Sequence, residues 1–238
     1  MLHDKDIREP LFEFLDETYG KNRILEEKNI GRSRADVVMI TEDSLYGIEI
    51  KSDADTYARL ASQVKDYDKF YDYNYVVVGS THGLHIREHV PDYWGVITVE
   101  FVDGEYDFYI LRRPEANPEL RWERKLEILW RPELAKLQEI FDMPKYKEKS
   151  KGFVVAKIIE RIENGKIPEE DFRKAMCALL HERDYSNIAE TLAEYRKGEI
   201  AKKLEREQNL TPEEQIKLIE KRELAKKNLR PRKRRRNK

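Results

Sequence analysis

Three short aliphatic runs leave this chain little choice of architecture. "ADVVMI" at 35–40, "LYGIEIK" at 45–51 and "YVVVG" at 75–79 are too short for ordinary helices and rich in β-branched residues. They read as strands, and their nearly unbroken apolar character predicts burial on both faces, at the centre of a sheet. Between the second and the third, "DADTYARLASQVKDYDKFYDY" repeats Tyr57, Leu60, Ala61, Val64, Tyr67 and Tyr71 at helical spacing. Before them, "DIREPLFEFLDETYG" sets Ile7, Leu11, Phe14 and Leu15 on one helical face and stops at Gly20, a residue suited to the position just past a helix end. After them, "THGLHIREHVP" predicts a short helix ending before Pro91. Strands follow at "WGVITVEFV" and "YDFYILR" around the turn residues Asp103 and Gly104. The alternation of strands and helices predicts an α/β fold.

From about Pro114 the pattern becomes helices punctuated by prolines. "RPELAKLQEIF" and "IPEEDFRKAMCALLHER" open with Pro132 and Pro168 at the first helical position, and "ENG" ends a helix at Gly165. "TPEEQ" is a capping-box pattern, with Thr211 as N-cap and Glu214 at the third position. The expected organisation is an α/β core over 1–113, a helical domain over 114–197, and charged helices with a basic tail over 198–238. No internal repeat is visible. The single cysteine, Cys177, excludes an internal disulfide and sits at an apolar helical position, so it reads as a small buried hydrophobe in a reducing compartment. The charged first residues lack the apolar stretch of a signal peptide, and no aliphatic run is long enough to span a bilayer. A cytoplasmic protein without a membrane partner is expected.

The formal charge of -1 conceals an asymmetry. Residues 1–100 carry 12 Lys and Arg against 20 Asp and Glu, whereas seven basic residues crowd the last nine positions, "RPRKRRRNK". Arg230, Arg232, Lys233, Arg234, Arg235 and Arg236 therefore form either a phosphate-binding arm or a solubilising end, with the arm favoured. An acidic first hundred residues would not grip duplex DNA unaided, so the positive charge is expected from the tail or from a partner.

The central runs contain charges where a buried strand needs aliphatics. If Thr41–Ser44 form a four-residue hairpin loop, Ile40 faces Leu45, Asp36 faces Glu49 and Arg34 faces Lys51. Alternation then puts Asp36, Glu49 and Lys51 on one face of the sheet. Facing carboxylates repel unless something positive lies between them, and a divalent cation would serve. The alternative is frayed strand ends whose acids pair with Arg34 and Lys51 in water. On the next helix Asp55, Arg59, Gln63 and Tyr67 recur at i, i+4 spacing, and Tyr67 also belongs to the apolar stripe.

Asp36, the triplet Glu49-Ile50-Lys51 and a helix bearing Gln63 and Tyr67 resemble the PD-(D/E)XK phosphodiesterase superfamily, the restriction-endonuclease-like nucleases. The Gln63-to-Tyr67 spacing is similar to the Q-x-x-x-Y element of its RecB-type branch. The opening "DKDIREPL" and the run "EIKSDADTYARL" further resemble a group of poorly characterised bacterial and phage proteins assigned to that superfamily. The resemblance covers about residues 1–113 and implies a central mixed sheet flanked by helices. Ala35 stands where a proline often precedes the first aspartate. The acid that many members carry on the first helix has four candidates: Glu13, Glu17, Glu26 and Glu27.

The resemblance implies a nuclease acting on nucleic acid, with DNA the expected substrate. Asp36, Glu49 and the backbone carbonyl of Ile50 form a hard oxygen set suited to Mg²⁺ or Mn²⁺. Lys51 would orient the attacking water and stabilise the phosphoryl oxygens. Gln63 could hold the water or a phosphate, with Tyr67 supporting it and Arg59 and Arg34 as further contacts. The H-x-x-E-H pattern from His85 to His89, with His82 upstream, matches an inverted zinc-peptidase motif, but no third-ligand helix follows it and a polar helix flank is the better reading. A different class of function is also open: a non-catalytic or regulatory protein on a nuclease fold that docks a protein or nucleic acid through residues 114–229.

Overall fold

The computed structural model describes residues 4–184, apart from 53, 54, 84 and 147, and scattered residues between 194 and 217. The chain divides into two compact units, Met1–Arg183 and Asp184–Lys238. In the second unit Glu214 accepts from the Thr211 N–H at 3.0 Å, and the Thr211 hydroxyl accepts from Glu214 N–H at 3.4 Å, completing the expected capping box. The basic residues from Arg230 onward lie outside the described residues.

The first unit is built on a six-stranded mixed sheet in the order β1-β2-β3-β4-β5-β6. The strands are β1 (Arg23–Ile30), β2 (Ser33–Ile40), β3 (Leu45–Lys51), β4 (Tyr73–Gly79), β5 (Gly95–Val102) and β6 (Glu105–Arg112). β3, β4 and β5 run parallel, while the pairs β1/β2, β2/β3 and β5/β6 are antiparallel. The helices are α1 (Asp4–Tyr19), α2 (Leu60–Tyr67), α3 (Trp122–Lys125), α4 (Arg131–Ile140), α5 (Lys151–Glu163) and α6 (Glu169–Glu182). The α/β class read from the sequence holds. Strand β1 is the one the sequence hides, because "RILEEK" interrupts the alternation with charges and Glu27 takes a positive φ of 52°, bulging the edge between the pairs Glu26↔Val37 and Lys28↔Ala35.

The pleat divides the core in two. On one face Val37, Met39, Ile48, Ile50, Val77 and Ile97 pack against Ile7, Leu11 and Leu15 of α1. The other face buries Val38, Ile40, Val76 and Val78 in a cluster with α2 and with Leu134, Ile158, Phe172 and Leu180 of the later helices. Helices α3 to α6 therefore share a compact unit with the sheet. Lys125 fixes them to it: its fully buried ammonium is 2.7 Å from Asp72, whose other oxygen accepts the Leu45 N–H at 2.8 Å. A buried cation without that partner would be strongly unfavourable. "HIREHV" forms only a short 3₁₀ turn, His85–Glu88, rather than an α-helix. No helix among the described residues is long and apolar enough to cross a membrane.

Candidate active site

The hairpin behaves as counted. Thr41 N–H bonds to the Ser44 carbonyl at 3.0 Å, and Ile40 pairs with Leu45, Met39 with Tyr46 and Val37 with Ile48. There the ladder stops, one residue before Asp36 would face Glu49. Beyond Val37 the strands part, and the Asp36 side chain takes up the freed main-chain donor: its Oδ2 accepts the Ile50 N–H at 2.9 Å. This exchange keeps a buried amide paired and draws a carboxylate to the mouth of the split.

Glu49 and Lys51 project from the face that carries α2. Lys51 Nζ donates to Glu49 Oε1 at 2.6 Å and to Gln63 Oε1 at 3.0 Å, and the Gln63 amide also donates to Glu49 Oε1. Tyr67 completes the group. Its hydroxyl donates to Glu49 Oε2 at 2.7 Å and accepts the Asp36 N–H at 3.1 Å, so one phenol ties the two acidic positions together. Glu49 is 1 % exposed and Lys51 6 %. Five residues singled out from the sequence, Asp36, Glu49, Lys51, Gln63 and Tyr67, thus form one connected cluster.

α2 comes this close to β3 because Gly47 has no side chain. A Cβ there would stand 2.2 Å from the Tyr71 ring and 2.7 Å from that of Tyr67. Any larger residue would lift Gln63 and Tyr67 away from Glu49. Burial, then the Glu49 charge, raises the Tyr67 hydroxyl well above its ordinary value, so it remains a hydrogen-bond donor at all working pH. Asp36 is pushed up to about 7, first by burial and then by Glu49, with the Ile50 N–H pulling the other way. A carboxyl that hesitates near neutrality marks a position where positive charge would be welcome.

That position is approached by one cation the sequence reading passed over. Arg8 of α1 binds Asp4 through two nitrogens, at 3.2 and 2.9 Å, and Glu26 at 3.0 Å, with Glu27 at 3.8 Å and Asp36 at 4.0 Å. Hydrogen bonding to Asp4 is the main reason its guanidinium is held still more firmly charged than usual. Of the first-helix acids considered, Glu13 and Glu17 are exposed; Asp4 reaches toward Asp36 through Arg8, and Glu26 and Glu27 serve as partners of Arg8. The Asp4/Arg8 spacing of i, i+4 on a helix was the available signal. Arg34 does not face Lys51: it pairs with Glu27 at 2.9 Å. Arg59 is exposed one turn before Gln63, and among the described residues neither arginine touches Asp36 or Glu49. Asp55 turns back to accept from Ser52. Ile50 contributes its N–H to Asp36. No group of three or more His, Cys, Asp and Glu suited to a metal converges among the described residues, and His89 instead packs on Tyr57 with ring centres 4.6 Å apart.

A family model described as bacteriophage P4 protein cII matches residues 1–205. No curated protein and no solved structure matches the chain.

Proposed function

We propose that this chain, which belongs to the bacteriophage P4 protein cII family, is a metal-dependent nuclease that hydrolyses phosphodiester bonds of nucleic acid, with DNA as the favoured substrate. The observation that carries the reading is the convergence of Asp36, Glu49, Lys51, Gln63 and Tyr67 at the split between β2 and β3.

The donor set fits a small hard cation. Asp36 and Glu49 offer oxygens only, and with the Ile50 carbonyl they leave room for the waters that Mg²⁺ or Mn²⁺ retains; nothing soft is at hand to favour zinc. When bound, such a cation supplies a water of lowered pKa and neutralises charge on the leaving oxygen. The chain's own groups do the rest. Lys51, hydrogen-bonded to Glu49 and Gln63, orients the attacking water and donates to a phosphoryl oxygen as charge grows there. Gln63 holds Lys51 and Glu49 in register, and its amide is a further donor to water or phosphate. Tyr67 fixes the Glu49 rotamer and the Asp36 backbone together, which limits loss of geometry when the site exchanges a proton for a cation. Arg8 balances the acid surplus around Asp36.

A second reading has its own observation. Glu49 already accepts from three side chains, Lys51, Gln63 and Tyr67, and no group of three or more His, Cys, Asp or Glu suited to a metal converges among the described residues, an arrangement equally suited to a non-catalytic protein that binds nucleic acid or a protein partner. The deciding experiment incubates the purified protein with linear and circular DNA, single strands and RNA, in EDTA, Mg²⁺ or Mn²⁺. Cleavage that needs the metal and vanishes in both Asp36→Asn and Lys51→Ala supports the nuclease. Absence of metal-dependent cleavage on every substrate, from folded protein, selects the second reading.

A further inference from the structure

The first hundred residues are acidic in sum, yet the fold gathers a basic hollow from distant parts of the chain. Beside α2 lies a cavity of about 550 Å³ lined by Arg32, Lys65, Lys69 and Arg124 together with Ser33 and Ser62. Arg32 comes from the turn between β1 and β2, Lys65 and Lys69 from α2 and its C-terminal extension, and Arg124 from α3. Summation along the sequence hides this patch because its charges meet only after folding.

Asp66 braces the hollow. Its Oδ2 accepts from the Ser33 hydroxyl at 2.8 Å and the Arg32 N–H at 3.3 Å, and its Oδ1 accepts from Lys69 at 3.1 Å. The turn can press against that carboxylate only because residue 31 is glycine: φ there is +56°, and a Cβ would lie 3.0 Å from Asp66 Oδ1. With Asp66 occupied by the backbone, Ser33 and Lys69, two cations remain uncommitted. Arg32 and Lys65 are exposed and make no ion pair among the described residues, whereas Arg124 is shared with Glu127 at 2.7 Å. Arg32 and Lys65 offer what a phosphodiester group needs, positive charge and N–H donors to its free oxygens, while the Ser33 and Ser62 hydroxyls are spent on Asp66 and on the Arg59 carbonyl.

Position relates the hollow to the catalytic cluster. Ser33 and Asp36 lie on the same strand, three residues or about 10 Å apart at strand rise. Asp66 is the residue before Tyr67. Phosphates of one strand advance about 3.4 Å per nucleotide along the duplex axis and lie farther apart than that in space, so the hollow stands within about three nucleotides of a phosphate at Asp36.

From this geometry we infer that the hollow around Arg32, Lys65, Lys69 and Arg124 is a phosphate-binding subsite that holds the backbone of the nucleic-acid strand within about three nucleotides of the bond at Asp36. The inference rests on the nuclease reading for its register and on the hollow itself for its ligand. Because it contacts backbone alone, it adds affinity without sequence preference.

The test uses the full chain in EDTA, so that binding is measured without turnover, with a fluorescent duplex DNA as probe over a range of salt. Replacing Arg32 and Lys65 together by Ala should weaken binding at low salt by tenfold or more and flatten the slope of log K against log salt by about two. The paired variant Arg32→Lys with Lys65→Arg should retain the wild-type slope. Both variants should melt as the wild type does, since these side chains are exposed. Unchanged affinity and slope in the double Ala variant overturn the subsite. So does saturation of the hollow by inorganic phosphate below millimolar concentration with no loss of duplex binding, which would make it a site for a free phosphate. Failure of this inference is separable from failure of the nuclease reading: the first appears as unaltered binding in EDTA, the second as absent cleavage with Mg²⁺ or Mn²⁺.

Discussion

The Asp36→Asn substitution turns the strain at the site into a measurable quantity. Asn keeps an acceptor for the Ile50 N–H and removes only the charge. The Asp36 carboxyl is raised from 3.8 to about 7, chiefly by burial and then by Glu49. In the folded protein it therefore holds its proton over a range in which the unfolded chain has released it. Stability from such a group is full below the unfolded value and lost as pH rises through the folded one. Integrating between the two values, wild type should be less stable than the Asn variant by about 2 kcal/mol at pH 5 and about 4 kcal/mol at pH 8. The change in the gap, about 2 kcal/mol, corresponds to roughly 4–8 °C in Tm for a unit of this size. Calorimetric melts of both proteins in EDTA at pH 5, 6, 7 and 8 read it directly. The Asn variant should gain on wild type through that window, and added Mn²⁺ at pH 8 should stabilise wild type alone. Parallel stability curves would refute the reasoning, because they would mean that Asp36 titrates alike in both states and feels neither burial nor Glu49.

Four further outcomes follow from the same cluster and from the tail. Lys51→Ala should abolish cleavage while leaving Mn²⁺ affinity, read by calorimetric titration, equal or slightly higher, since a neighbouring cation has gone; preserved cleavage would remove Lys51 from the chemistry. Tyr67→Phe leaves Glu49 Oε2 and the Asp36 N–H short of a partner and should cost about 1–3 kcal/mol in denaturant unfolding, whereas Gly47→Ala should cost at least as much by forcing the Tyr71 and Tyr67 rings back from β3. Deleting Arg230–Lys238 removes seven cations, so it should flatten the salt slope of nucleic-acid binding by several units and leave Tm unchanged; an unaltered slope would make the tail a solubilising end.

What the sequence reveals about this site is what short-range geometry controls. The register of β2 on β3 follows from a four-residue loop and the two-residue period of the pleat, so counting outward from Ile40 and Leu45 brings Asp36 to Glu49 without knowledge of anything else. Gln63 and Tyr67 follow from one helical turn and from an apolar stripe that fixes which side of α2 meets the sheet. Two details escape the count. The ladder ends one pair early, which no pattern of residues announces, and Arg34 is thereby released to Glu27 instead of meeting Lys51. Strand β1 is missed because its residues are chosen for charge: Glu26 and Glu27 answer Arg8 across the sheet edge rather than filling a core.

Charge is where a reading along the chain is incomplete, and the reason is physical. Net charge sums over a stretch of chain, but the field at a ligand depends on distance in space and falls away within a Debye length of about 8–10 Å in physiological salt. The acids of residues 1–100 are therefore not one field. Asp4, Glu26, Glu27, Asp36 and Glu49 crowd one end of the β2/β3 split, where Arg8 and Lys51 partly balance them. Asp68 and Asp72 are spent internally: Asp68 on Tyr93 and Trp94, Asp72 on Lys125 and the Leu45 N–H. Once those acids are assigned to their partners, Arg32 and Lys65 make no ion pair among the described residues and stand a few residues from the site. A core that is acidic by composition thus sets a cationic hollow beside an anionic split, the pairing of fields that the proposed polyanionic substrate and divalent cation would together require.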